Sequence, residues 1–370
     1  MVIEKMNDIR PHTDMAEKIN KKNLRIVINT TYESAGTKVC VDDLLPRLEA
    51  AGHSVERNNW EQYQNFDVAL FMSPDANPRR AKHKNPEIVT GIMDPKIATP
   101  ALRQNLADAD FSLVSSLEQR DAIMAYNPNT LIYFMFPNVA ARPKVHRHKD
   151  KVIIGYHGNR EHLLCFYPHI SRALDRLSAA RSIELWTVYN IKRHGRWTRG
   201  LPKKTPVRHI QWTPNIYEQK LAQADIGIVN NAIPASPGLR HRVTRPLTRY
   251  LRTQVYPYDQ DDTVIRFKYS ANPGRIYPFA QLGIPVVADF TSTNGWLLGQ
   301  DKRGLLAHTQ AGWYHALRRL ADSPDERQRI SDGLRRYIDT SCSIEINFAT
   351  FNKFLLTQVN HARDATAPAA

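Results

Sequence analysis

The sequence predicts two α/β domains of doubly wound parallel sheet that face one another across a cleft. Three observations predict it. Short apolar runs alternate with helix-period segments from residue 24 onward. The alternation comes as two series, separated by a polar stretch at 138–151 rich in Pro, Arg, Lys and His. The chain has 370 residues, too many for one ordinary core and comfortable for two.

In the first series, residues 24–29 (Leu-Arg-Ile-Val-Ile-Asn) read as a buried strand. Ser34, Ala35 and Gly36 make the turn after it, and Val41, Leu44, Leu45 and Leu48 put one apolar face on a helix over 39–51. Gly52 ends that helix and a second strand follows at 53–56, completing a βαβ unit. Further strands are expected at 67–72, 87–93, 111–115 and 130–136, with helices at 99–109 and 117–126. The second series has strands at 152–156, 183–188, 207–211, 225–229 and 284–288. Its helices are expected at 163–177, 217–224, 275–282, 309–320, 325–337 and 348–359. The domain plan is a polar segment at 1–23, a first domain at 24–137, a linker at 138–151 and a second domain at 152–337. A C-terminal helix at 338–357 crosses back to the first domain, and 358–370 is a tail.

Composition bounds the function. No run of about 18 apolar residues occurs, so no membrane-spanning helix is expected. The N-terminus lacks the basic-then-apolar pattern of a secretory signal, and Cys40, Cys165 and Cys342 lack metal-type spacing. These features point to a cytoplasmic protein with reduced thiols, in peripheral contact at most with the inner membrane face. The net charge of +15 and pI of about 9.7 favour anionic partners: nucleotide phosphates, anionic lipid headgroups or nucleic acid. Charge does not choose among them.

Two clusters can carry chemistry. In the first, Gly158, Asn159 and Arg160 follow the strand at 152–156 and precede a helix, where a glycine permits close backbone approach and a helix start favours an anion. The three-glycine dinucleotide fingerprint is absent, so NAD binding is not expected. In the second, Arg266, Lys268, Tyr269, Ser270, Asn272, Gly274 and Arg275 bring cations and small polar groups to the start of another helix, a composition suited to a diphosphate and sugar hydroxyls. Asp94, after the strand ending at Met93, is a candidate for acting on an acceptor, with a turn aspartate before Pro95 as the alternative. Asp259-Gln260-Asp261-Asp262 reads as an acidic loop, and no metal ligands are assigned. Residues 238–258 interleave Arg240, His241, Arg242, Arg245, Arg249 and Arg252 with apolar residues, which suits an anionic membrane, a polyanionic acceptor or a solvated loop.

The tract Leu282-Gly283-Ile284-Pro285-Val286-Val287-Ala288 resembles the G-x-P-V-V-A segment of retaining glycosyltransferases of the GT-B fold, family 4. Ile154 to Asn159 resemble the opening strand and loop of that family's C-terminal domain. Trp212, Tyr217, Leu221 and Asp225-Ile226-Gly227-Ile228 resemble its W…Y…L…D-I-G-I stretch. Ser34-Ala35-Gly36 and Gly52-His53-Ser54-Val55 resemble its N-terminal glycine loop and G-H-x-V strand start. The resemblance spans about 24–356 and implies two Rossmann-like domains, the first for the acceptor and the second for a nucleotide-diphosphate sugar as co-substrate, with no cofactor. It implies a donor site of Gly158, Asn159, Arg160, Lys268, Tyr269, Asn272, Gly274 and Arg275, with Gly36 facing the same phosphates and Ser270 at the transferred sugar. The family's Glu-x7-Glu pair is missing: Ser270 and Pro278 stand at its two positions. The expected activity is transfer of a hexose to an envelope glycan or glycolipid, retaining and metal-independent. A phage-type glucosyltransferase acting on nucleic acid, and a catalytically inactive sugar-nucleotide or glycan-binding relative, remain the alternatives.

Overall fold

The computed structural model describes residues 23–31, 35–72, 75–134, 136–139, 144–233, 273–299 and 301–366. The chain divides into two compact units, Met1–Ser112 with Phe348–Ala370, and Leu113–Asn347. The strands form two six-stranded sheets, and every strand pairing whose register is given is parallel.

The first sheet runs β2-β1-β3-β4-β5-β6, with β1 Arg25–Asn29, β2 Ser54–Arg57, β3 Val68–Phe71, β4 Val89–Met93, β5 Phe111–Val114 and β6 Thr130–Ile132. The division between the units passes through β5. Strands β3, β4 and β5 are buried at every position, as expected of parallel strands covered on both faces. The helix expected over 39–51 is broken into a π-turn at Lys38–Asp42 and a helix at Leu45–Ala50. Pro46 explains the break, since a proline without an N–H is tolerated only in a helix's first turn. A helix at Pro78–Lys84, capped by Asn77, was absent from the sequence reading.

The C-terminal helix, Ile344–Thr366, does return to the first unit. Phe351, Leu355 and Val359 form its buried stripe at helical spacing. Phe354 meets Phe111 edge-on at 5.2 Å, and Asn352 Oδ1 lies 2.7 Å from His53 Nε2. The helix continues through residues expected to be tail, because Val359 is buried and Arg363 pairs with Asp67 at 3.2 Å.

The second sheet runs β12-β11-β10-β7-β8-β9, with β7 Val152–His157, β8 Ile183–Tyr189, β9 Val207–Gln211, β10 Ile226–Val229, β11 Val286–Asp289 and β12 Leu305–Ala307. The chain leaves β7 for β8 and β9 on one side, then returns to β10 beside β7 and continues outward to β11 and β12. The winding direction therefore reverses between β7 and β10. The helix expected over 163–177 is split into Glu161–Leu164 and His169–Ser178, with Pro168 at the boundary. The helix Ser292–Leu298 and β12 were missed because Thr-Ser-Thr-Asn-Gly reads as turn chemistry and β12 has three residues.

Much of the stretch read as a linker is fixed to the second unit. Just before it, Phe136 stacks flat on Tyr277 at 3.6 Å, and within it the Val139 N–H donates to Gln281 Oε1 at 3.2 Å. Lys149 pairs with buried Asp225 at 2.6 Å, and Arg327 donates to the Arg147 carbonyl at 2.8 Å. His146 Nε2 donates to the Gly283 carbonyl at 2.9 Å. Burial pushes the His146 imidazole down to about 4, against the raising effect of that bond, and burial takes His157 to about 4 as well. Folded-state values below the ordinary 6.5 mean that the unfolded chain takes up protons that the folded chain refuses. The stability from neutral imidazoles is present above about pH 6.5 and lost as pH falls toward 4, by up to about 1.4 kcal/mol per pH unit for each ring. Gln can donate to Gly283 without titrating. Denaturant unfolding of His146→Gln measured against pH should therefore show a shallower acid loss than wild type, whereas parallel curves would remove His146 from the acid response.

Candidate functional site

In open parallel sheets, ligands bind beyond the carboxyl ends of the strands where the winding reverses. In the second unit that place is the end of β7 and β10, and the sequence has prepared it from below. Gly155 on β7 and Gly227 on β10 are register partners. A Cβ on Gly227 would lie 2.7 Å from the Phe279 ring, and one on Gly155 would lie 2.8 Å from the Ala224 Cβ and 3.5 Å from Phe279. The paired glycines leave room for Phe279, on the helix Ile276–Gln281, to lie against the sheet. That close approach delivers Arg275, at the helix's N-terminal cap position, to the strand ends.

Arg275 is held by the residues that follow β10. Its Nη1 donates to Asn230 Oδ1 at 3.3 Å, and its Nη2 donates to the Asn230 carbonyl at 2.5 Å and to Asn231 Oδ1. Its carbonyl accepts from His157 Nε2 at 3.0 Å. His157 packs edge-on against Phe279 at 5.0 Å, and its neutral form supplies the Nε2–H. The guanidinium lies 5.9 Å from the Tyr156 ring centre. Gly158 completes the arrangement. Its φ of +139° lies in a region that side-chain-bearing residues avoid, and a Cβ there would come within 2.9 Å of Arg275 Cδ and 3.1 Å of the Tyr156 hydroxyl oxygen. Tyr156 donates to the Asn159 carbonyl at 2.7 Å, which fixes the turn.

Asp289, at the end of β11, anchors the same loop. Its Oδ2 accepts from the Asn231 N–H at 2.6 Å and from the Ala232 N–H, while its Oδ1 accepts from Asn294 Nδ2 at 3.0 Å. Asn231 and Asn294 are 4% and 0% exposed, yet Asn231 Nδ2 and Asn294 Oδ1 have no hydrogen-bond partner among the described residues. Buried polar groups are ordinarily paired, so these are two open bonding positions.

Of the residues singled out in the sequence, Gly158, Asn159, Gly274 and Arg275 fall at or beside this strand-end cluster. Asn159 is exposed, and Gly274 lies in the single turn Pro273–Arg275. Arg160 faces another way: it donates to the His194 carbonyl and lies 5.0 Å over the Trp197 ring. Gly36 and Asp94 belong to the first unit. Gly36 is exposed in the turn Ala35–Thr37. Asp94 has a left-handed φ of 46° and accepts from Lys96 Nζ at 2.8 Å. Lys268, Tyr269, Ser270 and Asn272, the acidic loop at 259–262 and the basic stretch at 238–258 lie outside the described residues. Sequence reasoning missed Asn230, Asn231 and Asp289, and it did not join His157 to them. The signal was present: polar residues directly following Ile-Gly-Ile-Val and Val-Val-Ala, two apolar strands beside the reversal.

No family model matches the chain, and no curated protein sequence matches it. Solved structures do. HepE of Anabaena in complex with UDP aligns with a TM-score of 0.57 at 11% identity, over 90% of this chain and 99% of HepE. Sucrose-phosphate synthase from Thermosynechococcus elongatus aligns with a TM-score of 0.57 at 11% identity, over 92% and 100%. A variant of S. aureus TarM, in complex with fondaparinux, α-GlcNAc-glycerol and UDP, aligns with a TM-score of 0.51 at 12% identity. That match covers 79% of this chain and 55% of TarM. At such identities the likeness is one of fold, and the two parallel six-stranded sheets have the GT-B architecture of these structures.

The anchoring carboxylate yields a test. Burial pushes Asp289 up to about 6, against the lowering effect of the Ala232 and Asn231 N–H bonds. A carboxyl raised from 3.8 favours folding fully below the unfolded value and loses that contribution as pH rises through about 6. Relative to Asp289→Asn, wild-type stability should therefore fall by up to about 1.4 kcal/mol per pH unit between about pH 4 and 6. Denaturant melts of the two proteins across that range check it, and curves that stay parallel would contradict it.

Proposed function

We propose that the chain is a glycosyltransferase that moves a sugar, a hexose by preference, from a nucleotide-diphosphate sugar to an envelope glycan or glycolipid. The single observation that carries the reading is Arg275, held over Gly158 at the reversal of the second sheet. The fold shared with solved glycosyltransferases supports it, as does the family 4 resemblance of the tract 282–288.

When a glycosidic bond to a nucleotide diphosphate breaks, negative charge grows on the departing phosphate. A guanidinium offers several donors in a fixed plane and stays charged at every relevant pH. Phosphate oxygens are stronger acceptors than the amide oxygens that Arg275 now meets, so a bound diphosphate competes well for it. The turn at Gly158 lets the ligand approach the backbone. In this reading charge neutralisation is left to Arg275 and backbone N–H groups without a metal, the transfer retains configuration, and the enzyme works on the cytoplasmic side. Asp94 is kept as the acceptor-side residue and Ser270 as a sugar-side one. A second reading, a sugar-nucleotide binding protein without turnover, is favoured by Pro278, which stands buried where the resembling family carries a carboxylate.

Thermal melts against UDP, GDP, CDP, dTDP and their sugars test the donor. One nucleotide series should protect wild type, by about 2.7 kcal/mol at a hundred times its Kd. Arg275→Ala should weaken it by about 1.5–3 kcal/mol, roughly 10- to 150-fold in affinity. Gly158→Ala should act in the same direction by displacing the Arg275 stem. No protection by any nucleotide would overturn the reading. Protection without transfer or donor hydrolysis across an acceptor panel would select the binding-protein alternative.

A further inference from the structure

Between Leu185 and Tyr217 the chain contains no aspartate or glutamate, yet this stretch supplies a crowd of cations. Lys192 and Arg193 lie in the short helix Ile191–His194. Arg196 and Arg199 follow in the loop, Lys203 and Lys204 stand at its far end, and Arg208 stands on β9, the edge strand of the second sheet, with its guanidinium 4.9 Å over the Trp186 ring. All seven are exposed. No ion pair is shown for any of them among the described residues, whereas Lys149, Lys151, Arg318, Arg319 and Arg329 of the same unit all have one.

The loop that carries these charges is firmly built. Asp175 accepts from the N–H groups of Lys203, Lys204 and Thr205 at 2.9, 2.7 and 2.9 Å. Burial would raise the Asp175 carboxyl, but these bonds together hold it below its ordinary value. Trp197 donates through its backbone N–H to the Tyr189 hydroxyl at 2.8 Å and through Nε1 to the Arg199 carbonyl at 2.7 Å. The Glu184 carboxylate beside the patch is paired with Lys151 at 2.7 Å. Arg196, Arg208 and His209 line an open hollow of about 410 Å³ with Ile191, Val207 and Glu184.

Apolar side chains stand beside the charges. Gly200 packs against the backbone of Leu163 and Leu164, where a Cβ would come within 2.8 Å of the Leu164 Cα. Leu164 is 46% exposed and nearby Tyr167 is 52% exposed, with Arg172 stacked over the Tyr167 ring at 5.3 Å. Cations on an edge strand guard against strand pairing, but one or two suffice for that. A cationic face bordered by protruding leucine and tyrosine is instead the composition of a surface that rests on lipid, charges at the headgroups and apolar side chains in the interface.

We propose that the face formed by residues 192–208 together with Leu164 and Tyr167 docks the protein on an anionic bilayer, with the hollow at Arg196 and Arg208 taking a phosphate-bearing headgroup. The proposal stands apart from the transfer reaction and survives its failure.

Co-sedimentation of the full chain with vesicles tests it, using phosphatidylcholine alone or mixed in equal parts with phosphatidylglycerol. Wild type should sediment with the mixed vesicles only, and added salt should release most of it. Each cation near an anionic surface is worth roughly fivefold in partitioning, so Arg196→Ser, Arg199→Ser, Lys203→Ser and Lys204→Ser combined should lower binding by roughly a hundredfold or more. All four side chains are exposed, and an unchanged melting temperature will show that the variant folds. Leu164→Ser with Tyr167→Ser should remove the portion that resists salt. Vesicle binding equal in the fourfold variant and wild type would overturn the proposal, as would no vesicle binding by wild type. Tight binding to a DNA duplex without vesicle binding would overturn it too and assign the surface to nucleic acid.

Discussion

The Arg275 guanidinium is the group around which the second unit's strand ends are organised. A charged side chain at the carboxyl edge of a buried sheet requires acceptors in its plane, and the chain supplies them from the residues after β10. Those residues can turn toward it because Asp289 gathers the Asn231 and Ala232 N–H groups from beneath. Asp289 is in turn steadied by Asn294, whose backbone N–H is capped by Thr291 Oγ1 at 3.2 Å. One cation thus ties together the ends of β7, β10 and β11 and the helix Ile276–Gln281.

Backbone sterics determine where that cation stands. Two glycines in register let Phe279 lie on the sheet, and a third, Gly158, leaves open the space that Arg275 Cδ occupies. His157 adds a directional constraint by bonding the Arg275 carbonyl while packing on Phe279. The same few residues therefore set both the packing distance of the helix and the direction of its first side chain. Apolar burial provides the energy for this arrangement: Ile276, Tyr277, Phe279 and Ala280 are all fully buried, at about 1.5–3 kcal/mol for each large side chain.

Periodicity made the architecture legible, because parallel strands buried on both faces leave continuous apolar runs that few other structures produce. The run Ile-Pro-Val-Val-Ala reads as a strand, and the strand Val286–Asp289 begins at its first valine. The tract 282–288 carried the clearest family resemblance, yet it is core: Ile284, Val286, Val287 and Ala288 are 0% exposed. It marks the fold more than the site. The breaks at Pro46 and Pro168 were legible too, since proline is the strongest local punctuation, but unbroken apolar spacing outweighed them. The site was legible in part. Gly158 and Arg275 lie in recognisable strand–turn–helix contexts, whereas Asn230 and Asp289 become significant only once β10 and β11 are known to flank the reversal. Strand order is a long-range property, and no local window contains it.

The family that the tract 282–288 resembles carries a carboxylate at the position where this chain has Pro278. Pro278 sits in the helix whose neighbours 276, 277, 279 and 280 are buried to completion, so this helix has been given over to packing. An acidic side chain there would have to leave water among these buried apolar neighbours. Asp289 does not replace it, because both of its oxygens are taken by protein donors and it is 2% exposed. Among the described residues, the Asn231 Nδ2 donor and the Asn294 Oδ1 acceptor are buried here without a partner. A diphosphate at Arg275, as proposed, would meet one fixed positive charge with neutral hydrogen-bonding groups near it. The affinity of a phosphate-bearing ligand there should fall with added salt, which screens its attraction to the guanidinium.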